Sequence, residues 1–327
     1  GSVYLAEGAD YCIDCLPLRG SNIIYKQNST WVMRYTGGNQ VFSFDRLFAE
    51  YGILAPRCAK PFGQGFHFVV TVGDIRVHDG VTSKSVAEDR VKETIFSEID
   101  TDNYYLSFVF SNYAFEELWF CYPSRGSTYP NRAAIWNSRS GAWSFRALPS
   151  TPHIAYGVID VGDDSWDSDM QAWDSDTTQW GELSYEPARH KVLIASHAAT
   201  TAFSGFFMGD TSNQFNGVSM ASRLEKTGLD IAGVSTNGLV QDQSVVKEIA
   251  AIWPKISGGP VNVTVGGADT ASGVYAWDAP QSFDPAVDYK LDFRVNGRYW
   301  GIRIESTDNV DWVLTDLLVD IIPNGER

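Results

Sequence analysis

Alternation of apolar and polar positions, rather than helical spacing, sets the texture of this chain. "GFHFVVTVGD" places Phe66, Phe68, Val70 and Val72 on one face and His67, Val69 and Thr71 on the other, the period-two pattern of a half-buried strand. His67 is therefore expected on the wetter face of that strand. "YLSFVF" (105–110) and "ELWFCYP" (117–123) flank "SNYAFE" as a hairpin. One segment has helical spacing instead. "SVAEDRVKETIFSEI" carries Ala87, Val91, Ile95 and Ile99 on one face behind a Ser85–Glu88 capping box, so a helix is expected near 85–99.

Three stretches share one shape: "IIYKQNSTW" (23–31), "AIWNSRSGAW" (134–143) and "QAWDSDTTQW" (171–180). Each runs from an aromatic through small polar turn-formers to a tryptophan; "IRVHDGVTS", from Ile75, is a degenerate fourth copy. Strand, tight turn and returning strand, with the tryptophan packing across the hairpin, account for the pattern. Its recurrence predicts an array of antiparallel sheets, which a β-propeller closes. Beyond residue 214 the texture changes. "VNVTV" (261–265), "YKLDFRV" (289–295), "WGIRIES" (300–306) and "DWVLTDLLVDI" (311–321) follow "VVKEIAAIWPKI" at short spacing, and such a run predicts a β-sandwich. Tyr289, Leu291, Phe293 and Val295 are expected to point inward together. The expected fold is thus all-β: a propeller region over 1–214, with one inserted helix, and a sandwich domain over 215–327.

Within the propeller region, "SWDSDMQAWDSDTTQW" (165–180) nearly repeats itself, with Asp167, Asp169, Asp174 and Asp176 crowded between tryptophans. A calcium loop would need the glycine and distant glutamate that are missing here. Asp and Ser bond readily to nearby backbone and favour turns, so hairpin corners without a metal are the preferred reading. "CIDC" (Cys12 to Cys15) has zinc-knuckle spacing, but no second pair follows. On an extended strand, residues three apart point to opposite faces. The four cysteines are read as free thiols, with no metal site and no cofactor.

Charge narrows the partners. Lys and Arg number 25 against 40 Asp and Glu, for a net charge of −15. Sequence-independent DNA binding rests on neutralising phosphates with Lys and Arg, and no basic run appears. No apolar run reaches the roughly 18–20 residues that span a bilayer, so no membrane anchor is expected. Recognisable catalytic motifs are missing as well: there is no nucleophile elbow, HExxH or P-loop, and "GQG" (63–65) is a fragment of a dinucleotide fingerprint. His67, His78, His153, His190 and His197 are scattered, with no partner that the sequence can name. Asn28 and Asn262 open glycosylation sequons but read as turn and strand residues. No catalytic residue is assigned, and no enzyme activity is expected.

"YGILAPRCAKPFGQGFHFVVTVGDIRVHDG" (51–80), with the helix after it, resembles the propeller region of tail nozzle proteins of short-tailed bacteriophages, also called hub or packaged-DNA stabilisation proteins. "AIWNSRSGAWSFRALP", the WDSD doublet, "SRLEKTGLDI" (222–231) and "VNGRYWGIRIESTDNVDWVLTDLLVDI" (295–321) are similar to the same group, in order along most of the chain. The resemblance implies a structural part of the virion tail, made in the bacterial cytoplasm. It implies a ring of identical copies, a hexamer, around the DNA exit channel, retaining packaged DNA and passing it during ejection. Its neighbours would be a portal-side adaptor, tail fibres or spikes, and a distal plug or needle, with genomic DNA passing unbound. Relative to that family the chain starts late, and an N-terminal part of the propeller is expected to be missing. The alternative is a propeller that binds or hydrolyses glycans at the host surface, with exposed tryptophans stacking on sugars.

Overall fold

The computed structural model describes residues 5, 10–38, 41–158, 190–197, 205–209, 214–215, 218–235, 238–306 and 309–326. The WDSD doublet, with Asp167, Asp169, Asp174 and Asp176, lies outside the described residues. The chain divides into two compact units, 1–211 and 212–327.

The first unit is a series of antiparallel meanders in chain order. β1 (Cys12–Leu18), β2 (Ser21–Lys26), β3 (Thr30–Tyr35) and β4 (Phe42–Phe48) form one four-stranded sheet. A second contains β5 (Ala59–Phe62), β6 (Phe66–Val70), β7 (Ile75–His78) and β8 (Ser83–Ser85). After α1 (Asp89–Glu98) comes a third, of β9 (Phe108–Asn112), β10 (Glu117–Tyr122), β11 (Arg132–Asn137) and β12 (Trp143–Ala147). β13 (His153–Val158), β14 (His190–Ser196) and β15 (Gly205–Gly209) make a three-stranded sheet among the described residues. The first strands of the meanders neighbour one another, β1 beside β5, β5 beside β9 and β9 beside β13. These are propeller-like blades, each set by its inner strand against the next.

The hairpin units behave as their sequences require. Trp31 on β3 pairs with Ile24, and Trp143 on β12 lies opposite Trp136 on β11. Between β5 and β6, Gly63 and Gly65 adopt left-handed backbone, with φ of 52° and 83°, which a side chain would strain. "GQG" is a turn.

Three expectations need correction. The helix spans Asp89–Glu98, and its first turn carries no side-chain cap. Ser85 ends β8 opposite Arg76, and its hydroxyl donates to Asp74 Oδ1 at 2.7 Å, so pairing in the blade removes it from the capping box. Second, the alternation in β6 fails. His67, Phe68, Val69 and Val70 are all fully buried, while Val72 lies beyond the strand end and is exposed. Blades pack on both faces, so β6 has no wet side to receive His67. Third, Tyr289 is 74% exposed although Leu291, Phe293 and Val295 are buried. β25 begins only at Leu291, after the turn at Asp284–Asp288.

In the second unit a two-stranded ribbon, β16 (Gln214–Phe215) with β17 (Val218–Ser219), precedes β18 (Arg223–Leu229) and the hairpin β19 (Ile231–Ser235) with β20 (Gly238–Gln241). Then come β21 (Val245–Gly258), β22 (Val261–Ala268), β23 (Ala276–Trp277), β24 (Gln281–Phe283), β25 (Leu291–Gly297), β26 (Tyr299–Ser306) and β27 (Trp312–Glu326). One sheet has the order β18-β26-β22, with β23 and β24 both on the far edge of β22; the other is β25-β21-β27. Ile249, Ile252 and Phe293 from one sheet meet Val263, Val265, Ile302 and Ile304 from the other in a single apolar core. This is a β-sandwich.

Candidate functional site

Two clusters of titratable groups in the first unit stand out, one sealed and one open. The sealed cluster lies between the first two blades. Tyr25 Oη on β2 lies 2.7 Å from His67 Nδ1 on β6 and 2.6 Å from His78 Nε2 on β7. His67 Nε2 is 3.0 Å from the carbonyl of Pro17, and the Gly80 N–H donates to His78 Nδ1 at 3.3 Å.

These partners assign every proton. A carbonyl only accepts, so His67 carries its hydrogen on Nε2 and leaves Nδ1 to accept from the tyrosine hydroxyl. A backbone N–H only donates, so His78 accepts at Nδ1 and donates from Nε2 to the tyrosine oxygen. The result is a one-directional chain from Gly80 through His78, Tyr25 and His67 to Pro17, with each of these groups satisfied. Burial pushes the His67 pKa down; burial, then the neighbouring His67, takes that of His78 to about 4. Both rings are therefore neutral near pH 7. The tyrosine hydroxyl is pushed well up, chiefly by burial. With all three of its side chains buried, this relay clamps two blades together rather than presenting a reactive group.

The open cluster sits where the first strands of the four meanders meet. Asp14 on β1 accepts the N–H of Cys15 at Oδ1 and that of Arg57 at Oδ2, at 2.8 and 2.9 Å. Arg57, just before β5, has φ of 67°, a left-handed conformation that costs a non-glycine residue of order 1–3 kcal/mol. Its carbonyl accepts from Val109 N–H on β9 at 2.9 Å, so two neighbouring meanders hold the strained backbone. The guanidinium carbon lies 5.6 Å from the Phe108 ring centre, and that ring is 5.9 Å from His153 on β13. Lys60 lies on β5. The His153 pKa is lowered, first by burial and then by the charges of Arg57 and Lys60.

The remaining candidates separate. Cys12 and Cys15 are exposed free thiols on β1; Cys58 and Cys121 are buried free thiols whose pKa values burial drives up. No group of three His, Cys, Asp or Glu side chains among the described residues is arranged to hold a metal ion. His197 packs tilted by 37° against Tyr129, with ring centres 4.7 Å apart, and His190 opens β14. Asn28 is exposed in the turn before β3, and Asn262 lies on β22. An open hollow of about 290 Å³ is lined by Ser97, Glu98, Ser124, Arg125 and Arg132. Tyr122 donates its hydroxyl to Glu98 there at 3.2 Å. Among the described residues no helix is long and apolar enough to cross a membrane.

No family model and no curated protein matches the chain. Among solved structures, an exo-β-1,3-galactanase from Phanerochaete chrysosporium bound to β-1,3-galactotriose is similar at 10% identity. That match covers 94% of this chain and 80% of the other, with a TM-score of 0.28. The same enzyme with galactose is similar at 11% identity over 93% and 69% of the two chains, with a TM-score of 0.14. Similarities of this size carry no information about chemistry.

Proposed function

We propose that this chain is a non-enzymatic structural part of a bacteriophage tail, one copy in a homo-oligomeric ring that forms part of the DNA exit channel. One observation supports this over a glycan-reading propeller: the described tryptophans of the blades are largely spent inside them, while Trp166, Trp173 and Trp180 lie outside the described residues. Trp31, Trp119 and Trp136 are nearly buried, Trp136 stacks on Phe68 at 5.6 Å, and Trp143 donates its indole N–H to the Val86 carbonyl at 3.0 Å. A sugar ring needs an open aromatic face, and these faces are covered by protein.

The charge fits the same role. A net −15 per copy, repeated round a ring, makes a negative field that keeps a duplex off the wall. Adaptor, fibres or spikes, and a distal plug or needle are the neighbours this role requires, and the virion tail is the location. The field has a direct test in fluorescence anisotropy of a labelled duplex. No binding is expected even at low salt, where phosphate contacts are strongest. Tight binding at low salt, lost steeply as salt rises, would contradict an inert wall.

A further inference from the structure

We infer that Cys12 and Cys15 form a two-thiolate site for a soft closed-shell cation of the copper(I) class. Residues three apart on a regular strand point to opposite faces, but β1 is not regular. Cys12 lies opposite Lys26, Asp14 opposite Tyr25 and Cys15 opposite Ile24, so Ile13 is the extra residue of a bulge. Ile24 and Lys26 are two apart on β2 and share a face, and residues opposite one another in a ladder share that face as well. The bulge therefore sets both thiols on one side of β1. Burial agrees: Cys12, Cys15 and Pro17 are exposed, while Ile13 and Leu16 pack against the core of the first unit.

Spacing decides what the pair can hold. Two steps along β2 measure about 6.6 Å, and the two Cβ atoms leave β1 in the same direction. A disulfide needs its Cβ atoms about 3.5–4.5 Å apart, closer than the ladder sets them. A linear sulfur–metal–sulfur bridge with bonds of about 2.3 Å spans about 4.6 Å, which the sulfurs reach by leaning about 1 Å toward each other. The surroundings decide the ion. Asp10 is taken by Lys26, Ser29 and the Asn28 N–H, and Asp14 by the N–H groups of Cys15 and Arg57. Among the described residues no three His, Cys, Asp or Glu side chains are gathered for an ion. Zinc takes four ligands, and calcium and magnesium take oxygens. Soft thiolates without further donors suit copper(I), which is content with two. Two thiols and one copper(I) give one anionic dithiolate complex and two protons, with no change of oxidation state.

The test uses the full chain, reduced and kept free of oxygen, with copper(I) supplied in competition with a chromogenic copper(I) chelator. One copper(I) per chain is expected to stay with the protein, and X-ray absorption at the copper edge should show two sulfur neighbours and no nitrogen or oxygen. Cys12→Ser and Cys15→Ser, both at exposed positions where the fold does not depend on the thiol, should each lose the ion. The buried thiols Cys58 and Cys121 should stay out of reach of it. Native mass spectrometry separates a site within one chain from a bridge between two. Copper surrendered wholly to the chelator, copper kept by the double serine variant, or one copper shared between two chains overturns the inference.

Discussion

The two units bury their strands in different ways. In the sandwich, β25 reads buried and exposed in strict alternation, with Leu291, Phe293 and Val295 inside and Asp292, Arg294 and Asn296 outside. In the blades, β9 is buried at every position, and β10 at every position after Glu117. A sandwich sheet has one wet face, whereas a blade is covered on both by its neighbours. The covered faces need not be apolar. Between the first two blades the contact is the Tyr25–His67–His78 relay, and between the second and third it is Trp136 against Phe62 and Phe68. The first unit also buries Lys26, whose ammonium donates to the Leu5 carbonyl at 3.0 Å and lies 3.6 Å from Asp10. The second unit buries Lys247 in the same way, its ammonium donating to the Arg298 carbonyl at 2.7 Å, but it contains no histidine. In the relay every donor and acceptor finds a partner, and its two buried histidines make the first unit the more sensitive to protons.

The largest expected effect sits in the sandwich. Phe293→Ala should cost about 3–5 kcal/mol and lower the unfolding transition of that unit alone, as read by urea titration with separate probes for the two units. A fall in both transitions would contradict separate cores.

Acid should reverse the order. With a folded pKa of about 4 against an ordinary 6.5, His78 stays neutral while the unfolded chain takes up its proton. Stability held above pH 6.5 is lost as pH falls toward 4, by about 3 kcal/mol for this one group; His67 adds in the same direction. The first unit should therefore lose stability over that window, and His78→Gln, less stable at pH 7, should lose less. An equal acid loss in wild type and variant would remove the relay from the explanation. The smallest effect separates two neighbours in one sequence stretch. Tyr289→Ala should change stability by less than about 0.5 kcal/mol, against the several expected two turns of the pleat away at Phe293.

This contrast also explains what the sequence could disclose. Alternation marks strands with one wet face, so β25 was legible residue by residue; β22 and β26 were legible as strands, down to Ile302 and Ile304, although β22 is buried nearly throughout. The hairpins of the blades were legible through their turn residues and tryptophans. His67 was misplaced because period two carries no information once both faces are covered. The relay joins positions 17, 25, 67, 78 and 80, and no local spacing hints at it. The approach of Arg57, Phe108 and His153 left one signal. β1, β5, β9 and β13 begin at Cys12, Ala59, Phe108 and His153, at intervals of 47, 49 and 45 residues, and residues near the starts of first strands meet.

Whether these blades belong to a ring is decided by the mass of the particle that the full chain forms. Light scattering on the purified chain, with electron microscopy of the same sample, is predicted to give closed rings of identical copies, six by the family resemblance. Closed cyclic symmetry is what a channel requires. A chain that stays monomeric at every concentration tested, or that forms open and unlimited assemblies, would contradict the tail-channel role.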